Sequence, residues 1–385
     1  MNEDKASRYH RLKRRCAVLS IAVTGLILAG LMASGASAAL RDLAYRAGDG
    51  WAADGAAGGR GPGGFSPTAV ALYAVLLALV QEATALPFAL YRHFLLERRF
   101  GLSSEPLGAW IRDHLKAAGL GLMFGITGAE VIFLSMAWWA KWWWLGSSVA
   151  FMAAIGLMAS IAPVVLLPLF YRFTPLDRES LRARLVALSA RAGIPVLGVY
   201  EWKLGQKTRR ANAALVGTGV TRRILVSDTL LAEYSDDEIE IILAHELAHQ
   251  VHHDIPKAIV VEWGLLLAGF FAGSVLLDAA WAFAGLSGPY DVAGLPLLLL
   301  AAGGTSVAAT PFVNALSRRA ERRADQFALS LTRQPGAFVS AMRRLAVQNL
   351  AEERPSRRSL WLFHTHPPID QRILAAKAFG DLANQ

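Results

Sequence analysis

Six stretches of this 385-residue chain are too long and too apolar to be wrapped into the core of a soluble domain. Residues 16–40, 147–171 and 292–316 run without a charged side chain. Residues 67–91 and 117–140 carry one acid each, Glu82 and Glu130, and residues 258–286 carry Glu262 and Asp278. About 20 apolar residues cross the hydrocarbon core of a bilayer, and a helix there satisfies its own backbone hydrogen bonds. Each stretch therefore reads as a transmembrane helix. Composition agrees, with 54% apolar residues and only 18% charged ones, below the usual quarter. The expected class is a mostly α multi-pass membrane protein with about six transmembrane helices.

Basic residues orient these spans. Lys5, Arg8, Arg11, Lys13, Arg14 and Arg15 precede the first, and Arg92, Arg98, Arg99, Arg112 and Lys116 lie between the second and third. After residue 171 the chain is Arg-rich again. The loop 41–66 balances three arginines with three aspartates and is Gly-rich from residue 47, as a flexible external loop would be. Trp142-Trp143-Trp144 suits a membrane interface. Lys and Arg stay on the cytoplasmic side, so both termini are expected there. The Ala-, Gly- and Arg-rich composition points to a bacterial source, hence to the cytoplasmic (inner) membrane.

Composition bears on processing, partners and cysteine chemistry as well. Ala36-Ser37-Ala38 behind a basic head resembles a signal cleavage site, but the apolar stretch exceeds a signal core and reads as a retained span. The net charge of +9 gathers in the cytoplasmic segments, so the expected partner is membrane lipid and not nucleic acid. The single cysteine, Cys16, excludes an internal disulfide framework and thiolate zinc sites.

Four segments follow: an N-terminal membrane region with four spans (1–171), a water-facing segment (172–257), two further spans (258–316) and a second water-facing segment (317–385). In the first water-facing segment, 181–192 has helical periodicity, while 196–202, 213–216 and 223–227 read as short strands. Gly217-Thr218-Gly219 supplies a turn, and Ser235 caps a helix over 236–251. In the last segment, helices flank a loop at 352–368.

The helix 236–251 contains His245-Glu246-Leu247-Ala248-His249. Residues four apart share a helical face, so both imidazoles can hold one Zn²⁺ while Glu246 acts as base on the water that the metal activates. Two histidines do not complete a catalytic site, which usually has three protein ligands. His10, His93, His114, His364 and His366 are available, besides the neighbours His252 and His253, and a carboxylate would also serve. The strongest candidate is Glu321, with Asp325 one turn further on, where it could fix the tautomer of a ligating histidine. The same charge pattern also suits an exposed, salt-laced helix; spacing alone leaves both readings open.

Taken together the motifs resemble the type I CAAX prenyl endopeptidase family of integral-membrane zinc metalloproteases, relatives of which include heat-shock-type membrane peptidases of bacteria. That family's pattern is His-Glu-x-x-His, two spans, then Ser-Arg-x-x-Glu-x-x-Ala-Asp, and residues 317–325 match at every fixed position. Leu86-Pro87-Phe88, Glu97 to Leu102, Arg210 to Ala214, and His366-Pro367-Pro368 with Arg372 extend the likeness. The resemblance implies His245, His249 and Glu321 as ligands of one Zn²⁺ per chain, Glu246 as general base and Asp325 behind the ligands. It further implies that His366 and Arg372 bond the substrate carbonyl or the developing oxyanion. Asn212, Ala213 and Ala214 would form a strand edge for an extended peptide. The implied fold has spans enclosing a hydrated chamber, which the intramembrane acids would line, and a cytoplasmic α+β zincin-like catalytic domain. Two features depart from the family: Ala214 stands where an aromatic is usual, and six spans are counted where close members have seven.

The expected activity is a membrane-embedded zinc metalloendopeptidase (EC 3.4.24 type) working near the cytoplasmic membrane face. Its substrate would be a peptide or protein, either lipidated and CAAX-like at its C-terminus or a misfolded membrane protein. A transporter using the intramembrane acids, or an inactive scaffold with a structural zinc, are the alternatives. A transporter has no need of Glu246 beside a metal, and no catalytic group is missing for the scaffold reading to explain.

Overall fold

The computed structural model describes residues 2–52, 66–217, 219–352 and 354–383. Its membrane part begins with α1 (Asn2–Ala33), α2 (Ala36–Ala52) and α3 (Pro67–Ala89). A π-helical turn (Leu90–Leu95) and the short α4 (Leu96–Arg99) extend α3, and α5 (Leu107–Trp138) and α6 (Trp143–Phe170) follow. The water-facing segment holds β1 (Phe173–Pro175), α7 (Glu179–Arg191), β2 (Gly198–Trp202), β3 (Ala213–Val216), β4 (Arg223–Ser227), α8 (Asp228–Glu233) and α9 (Asp236–Val251). Then come α10 (Asp254–Ala280), α11 (Leu295–Thr332), α12 (Pro335–Gln348), α13 (Arg357–Phe363) and α14 (Ile369–Ala383).

Among the described residues six helices are long and apolar enough to cross a membrane: α1, α3 with its extension to Arg99, α5, α6, α10 and α11. Each packs chiefly on two others, in the cyclic order α1, α3, α5, α6, α10, α11 and back to α1. Neighbouring helices pack about 8–10 Å apart, so a closed ring of six leaves a centre roughly as wide as one further helix. No more than 39% of the most apolar window of any of them is buried, as befits helices that face lipid. The acid in α3 is partnered: Glu82 Oε1 lies 2.6 Å from His114 Nε2 on α5.

Several boundaries differ from the sequence expectation. The block 16–40 is not one span. α1 takes in the basic head and stops at Ala33, because Gly35 adopts φ +74°, a conformation glycine enters at little cost. Beyond that turn, Ser37 is buried and its hydroxyl lies 2.6 Å from both the Tyr73 hydroxyl and the Ala293 carbonyl. The signal-like triplet is thereby tied to α3 and to the turn before α11. The start of the expected external loop is helical to Ala52, and 53–65 lie outside the described residues, as does Thr218 of the expected turn. The division expected at residue 316 falls inside α11, which runs unbroken from the membrane into the catalytic segment. α13 occupies the middle of the expected 352–368 loop, started by Ser356, whose hydroxyl accepts from the Ser359 N–H.

The four strands form one sheet in the order β1-β2-β4-β3, mixed in direction: β2 and β4 run parallel, and β1 and β3 are antiparallel to their neighbours. β3 is thus an edge strand. Gly217 ends it at φ +87°, where an added Cβ would sit 2.6 Å from the Thr221 carbonyl oxygen. Behind the sheet, Leu181, Leu185, Ile224, Ile239, Leu243 and Phe338 belong to one buried core that joins α7, α9 and α12. Burying such side chains contributes about 1.5–3 kcal/mol each, so this core holds α9 firmly in place.

Candidate metal centre

α9 is defined at its start by a reciprocal cap: the Ser235 hydroxyl accepts from the Glu238 N–H, and the Glu238 carboxylate accepts from the Ser235 N–H. Along the helix, Ala244 and Ala248 are fully buried, and α11, packed against it, carries the fully buried Ala324 and Ala328. Small residues let two helix backbones approach closely. Glu321 and Asp325 share the alanine face of α11, so close packing delivers them to His245 and His249.

The resulting cluster is compact. Donor atoms of His245, His249 and Glu321 all lie within 4.8 Å of one another. His245 Nε2 is 3.2 Å from Glu321 Oε2, and His249 Nε2 is 3.6 Å from Glu321 Oε1. Two ligands about 2.0–2.1 Å from a tetrahedral Zn²⁺ stand roughly 3.3 Å apart, so these spacings match the edges of such a site. Among the described residues, Glu321 Oε2 is also buried without a hydrogen-bond partner. Buried orphan acceptors are rare, and a cation between these atoms would satisfy this one. The donor set of two imidazoles and one carboxylate suits Zn²⁺.

Each histidine is held from behind by a carboxylate. His245 Nδ1 lies 2.9 Å from Asp325 Oδ1, and His249 Nδ1 lies 3.0 Å from Asp254 Oδ2. An ionised carboxylate only accepts, so both Nδ1 atoms carry a proton, and each Nε2 faces the cluster, able to bind a metal once it is unprotonated. Burial works to depress the His245 imidazole, but the neighbouring carboxylates of Asp325 and Glu321 outweigh it and raise its pKa to about 9. The proton thus competes with a metal for that nitrogen. Asp325 is in turn clamped by Arg372, whose Nε and Nη2 donate to its two oxygens at 2.8 and 2.6 Å.

Asp254 was missed in the sequence. Counted along a straight helix it would sit about 140° round the axis from His249. His253 adopts the left-handed conformation at φ 53°, which ends α9, starts α10 and folds Asp254 back onto His249. Arg323 on α11 donates to the other Asp254 oxygen at 2.9 Å. Removing such an outer carboxylate usually weakens metal binding about 10–100-fold. Asp254→Asn is expected to do the same, read by competition with a zinc-responsive dye; unchanged affinity would mean that Asp254 does not orient His249.

Of the remaining expected residues, Glu246, His366, Arg372, Asn212 and Ala213 line one groove of about 340 Å³ beside the cluster, and Ala214 does not. Glu246 opens onto it, and burial lifts its carboxyl above the usual carboxylate range. His366 lies across the groove with Nε2 3.3 Å from Glu321 Oε1, and burial lowers its pKa, which favours the neutral imidazole. Asn212 and Ala213 line the wall formed by the open edge of β3. The Ser227 N–H donates to the Asn212 carbonyl at 2.9 Å, and Asn212 N–H donates to the Ser227 hydroxyl. Backbone groups alternate along an antiparallel strand, so those of Ala214 face β4 while those of Ala213 and Leu215 face the open edge.

A ring of membrane helices joined through one of its own members to a His-His-Glu cluster, with the Glu246 carboxylate on the adjoining groove, defines a membrane-embedded metalloprotease. Comparison with known proteins agrees. Residues 175–379, more than half of the chain, match peptidase family M48, and residues 2–172 match the N-terminal region of CAAX prenyl proteases described as five membrane helices. The chain belongs to peptidase family M48, and it is a CAAX prenyl protease-like membrane metalloprotease. It is 30% identical over 282 residues to an uncharacterized metalloprotease (YhfN) of Bacillus subtilis, covering 72% of this chain and 66% of that one. It is 29% identical over 305 residues to a CAAX prenyl protease 1 homolog of Oryza sativa, covering 76% of this chain and 70% of that one. The crystal structure of S. mikatae Ste24p superposes with a TM-score of 0.80 at 21% identity, over 97% of this chain and 88% of that one, a likeness of fold.

Proposed function

We propose that this protein is a zinc endopeptidase that hydrolyses peptide bonds at the cytoplasmic mouth of its membrane ring. The observation that carries this reading is that Glu246, His245 of the metal cluster and Asn212 and Ala213 at the open edge of β3 line one groove. Zn²⁺ held by those three residues would act as a Lewis acid on the scissile carbonyl and on water. Ala213 and Leu215 add an extended peptide to the sheet through their free backbone groups and so present its carbonyl to the cluster. Glu246 takes the proton from the attacking water and returns it to the leaving amine; its raised pKa brings it nearer neutrality, where such shuttling is efficient. His366 donates a hydrogen bond to the carbonyl oxygen as charge gathers there. Arg372 acts through Asp325, keeping its carboxylate on His245 Nδ1.

The positive-inside pattern supports a cytoplasmic active site, since the basic head of α1 meets the catalytic segment: Arg14 Nη1 lies 2.5 Å from Glu352 Oε2, and His10 Nε2 lies 2.8 Å from the Leu350 carbonyl. The kinship with CAAX prenyl protease 1 homologs supports a substrate cut near its C-terminus, lipidated or not. Substrate capture tests both points. The Glu246→Gln protein, tagged and cross-linked in cells, should retain bound polypeptides that mass spectrometry identifies. Enriched C-terminal segments would establish terminal processing, and assorted misfolded membrane proteins would establish turnover instead. No enrichment over a His245→Ala, His249→Ala double variant would sink the peptidase reading.

A further inference from the structure

Residues 203–212, which lead into β3, form neither helix nor strand. A segment without a ladder of its own takes its place from whatever satisfies its backbone. Much of that comes from the membrane part. The Arg209 N–H and the Thr208 hydroxyl donate to the Leu102 carbonyl at 2.9 and 3.1 Å, and the Ser103 hydroxyl donates to the Lys207 carbonyl at 2.5 Å. Two ion pairs fasten the same segment. Lys207 Nζ pairs with Asp113 near the start of α5 and donates to the carbonyl of Phe170, the last residue of α6, at 2.7 Å. Arg210 Nη2 lies 2.8 Å from Glu97 of α4 and donates to the Tyr9 hydroxyl of α1 at 2.7 Å. Tyr9 is fully buried, and its hydroxyl donates to Glu97 at 2.5 Å. Lys13, 3.4 Å from Glu97, completes a group in which one carboxylate serves two cations.

The ends of four spans that lie nearest the catalytic segment therefore meet on residues 207–210: α1, α3 with its extension, α5 and α6. The other two spans, α10 and α11, carry Asp254 and Glu321 of the metal centre. The two halves of the site thus hang from different parts of the ring. Asn212 and Ala213, which line the groove, follow Arg210 within three residues. Pairing with β4 sets the register of β3, but the ends of a four-residue edge strand fray unless they are tied.

We propose that Glu97 and Asp113 are positioning residues for the substrate. Through Arg210 and Lys207 they hold the entry to β3 where an extended peptide can bond the strand and reach Glu246 at the same time. Neither carboxylate lines the groove, so both act through the segment they grip. This assignment rests on the endopeptidase reading above and adds the means by which the membrane ring sets the substrate edge. Removing the charge of Glu97 would leave Arg210 and Lys13 unmatched and free the start of the strand.

The test uses full-length protein in nanodiscs and one internally quenched peptide in two forms. One is unmodified; the other is N-methylated at the backbone amide near the cut where methylation slows the unaltered protein most. Losing a backbone hydrogen bond and leaving its partner unmet costs about tenfold, so kcat/KM for the methylated form should be lower by about that factor. In Glu97→Gln, KM for the unmodified peptide should rise about tenfold with kcat within about threefold, and the methylation penalty should shrink towards one. Glu97→Asp, which keeps the charge, should regain part of the affinity. Asp113→Asn should act in the same direction as Glu97→Gln, and it decides the matter if Glu97→Gln does not fold. A general loss of folded enzyme would lower kcat for both forms alike and leave the penalty in place. A full penalty in either folded variant overturns the proposal, as does a fall in kcat at unchanged KM. If no methylation slows the unaltered protein, strand addition at β3 fails and the proposal with it. Failure to cut either form faster than Glu246→Gln does would instead defeat the endopeptidase reading.

Discussion

Replacing Glu246 with Gln is expected to lower kcat by about 10²- to 10⁴-fold, the range that a positioned general base supplies. The side chain keeps its size, but an amide cannot take a proton from water or pass one to the leaving amine. Metal content should not change, since His245, His249 and Glu321 keep their places and the carboxylates behind the histidines are untouched. The two readouts are therefore kcat on a quenched peptide and metal per chain by elemental analysis. Lost activity with one metal retained locates the defect in proton transfer. Activity at the normal rate would show that another group is the base, and the mechanism would have to be abandoned.

The largest effect on stability is expected from Asp325→Ala. Asp325 and Arg372 are both buried, with 7% and 9% of their side chains exposed, and joined by two hydrogen bonds. Removing the acid strands the guanidinium and leaves His245 Nδ1 without its acceptor. Breaking a buried pair in this way costs about 3–5 kcal/mol. Metal affinity should fall about 10–100-fold as well, through loss of the group that orients His245. Adding Arg372→Met to Asp325→Ala should return part of the stability, because an apolar side chain leaves no buried charge behind, while metal affinity stays low. Thermal unfolding in detergent and metal competition measure the two separately. If Asp325→Ala unfolds at the temperature of the unaltered protein, the clamp contributes nothing to the fold.

Much of the site was legible because its parts are local. His245 and His249 are one helical turn apart, as are Glu321 and Asp325, and such spacing fixes a common face whatever surrounds the helix. Ser235 with Glu238 announces the start of α9 in the same way. The strands 213–216 and 223–227 were read at their observed limits, because short β-branched and apolar runs between turns have few other uses. β1 was missed: three residues are too few to show a period of two. The break at Gly35 was missed because neither its neighbours' hydropathy nor their lack of charge changes there. α13 was read as loop because its seven residues give no periodicity to detect.

Residue chemistry at short range thus determined that this chain crosses a membrane and can assemble a metal-dependent hydrolase: helix length and hydropathy set the spans, and one-turn spacing sets the ligand pairs. Tertiary structure decided everything that depends on partners far apart in sequence. Packing of α11 against α9 brought Glu321 and Asp325 to His245 and His249, the left-handed turn at His253 folded Asp254 onto His249, and Arg372 was committed to Asp325. Such contacts are settled by the burial and charge of the whole assembled chain, which no window of sequence contains.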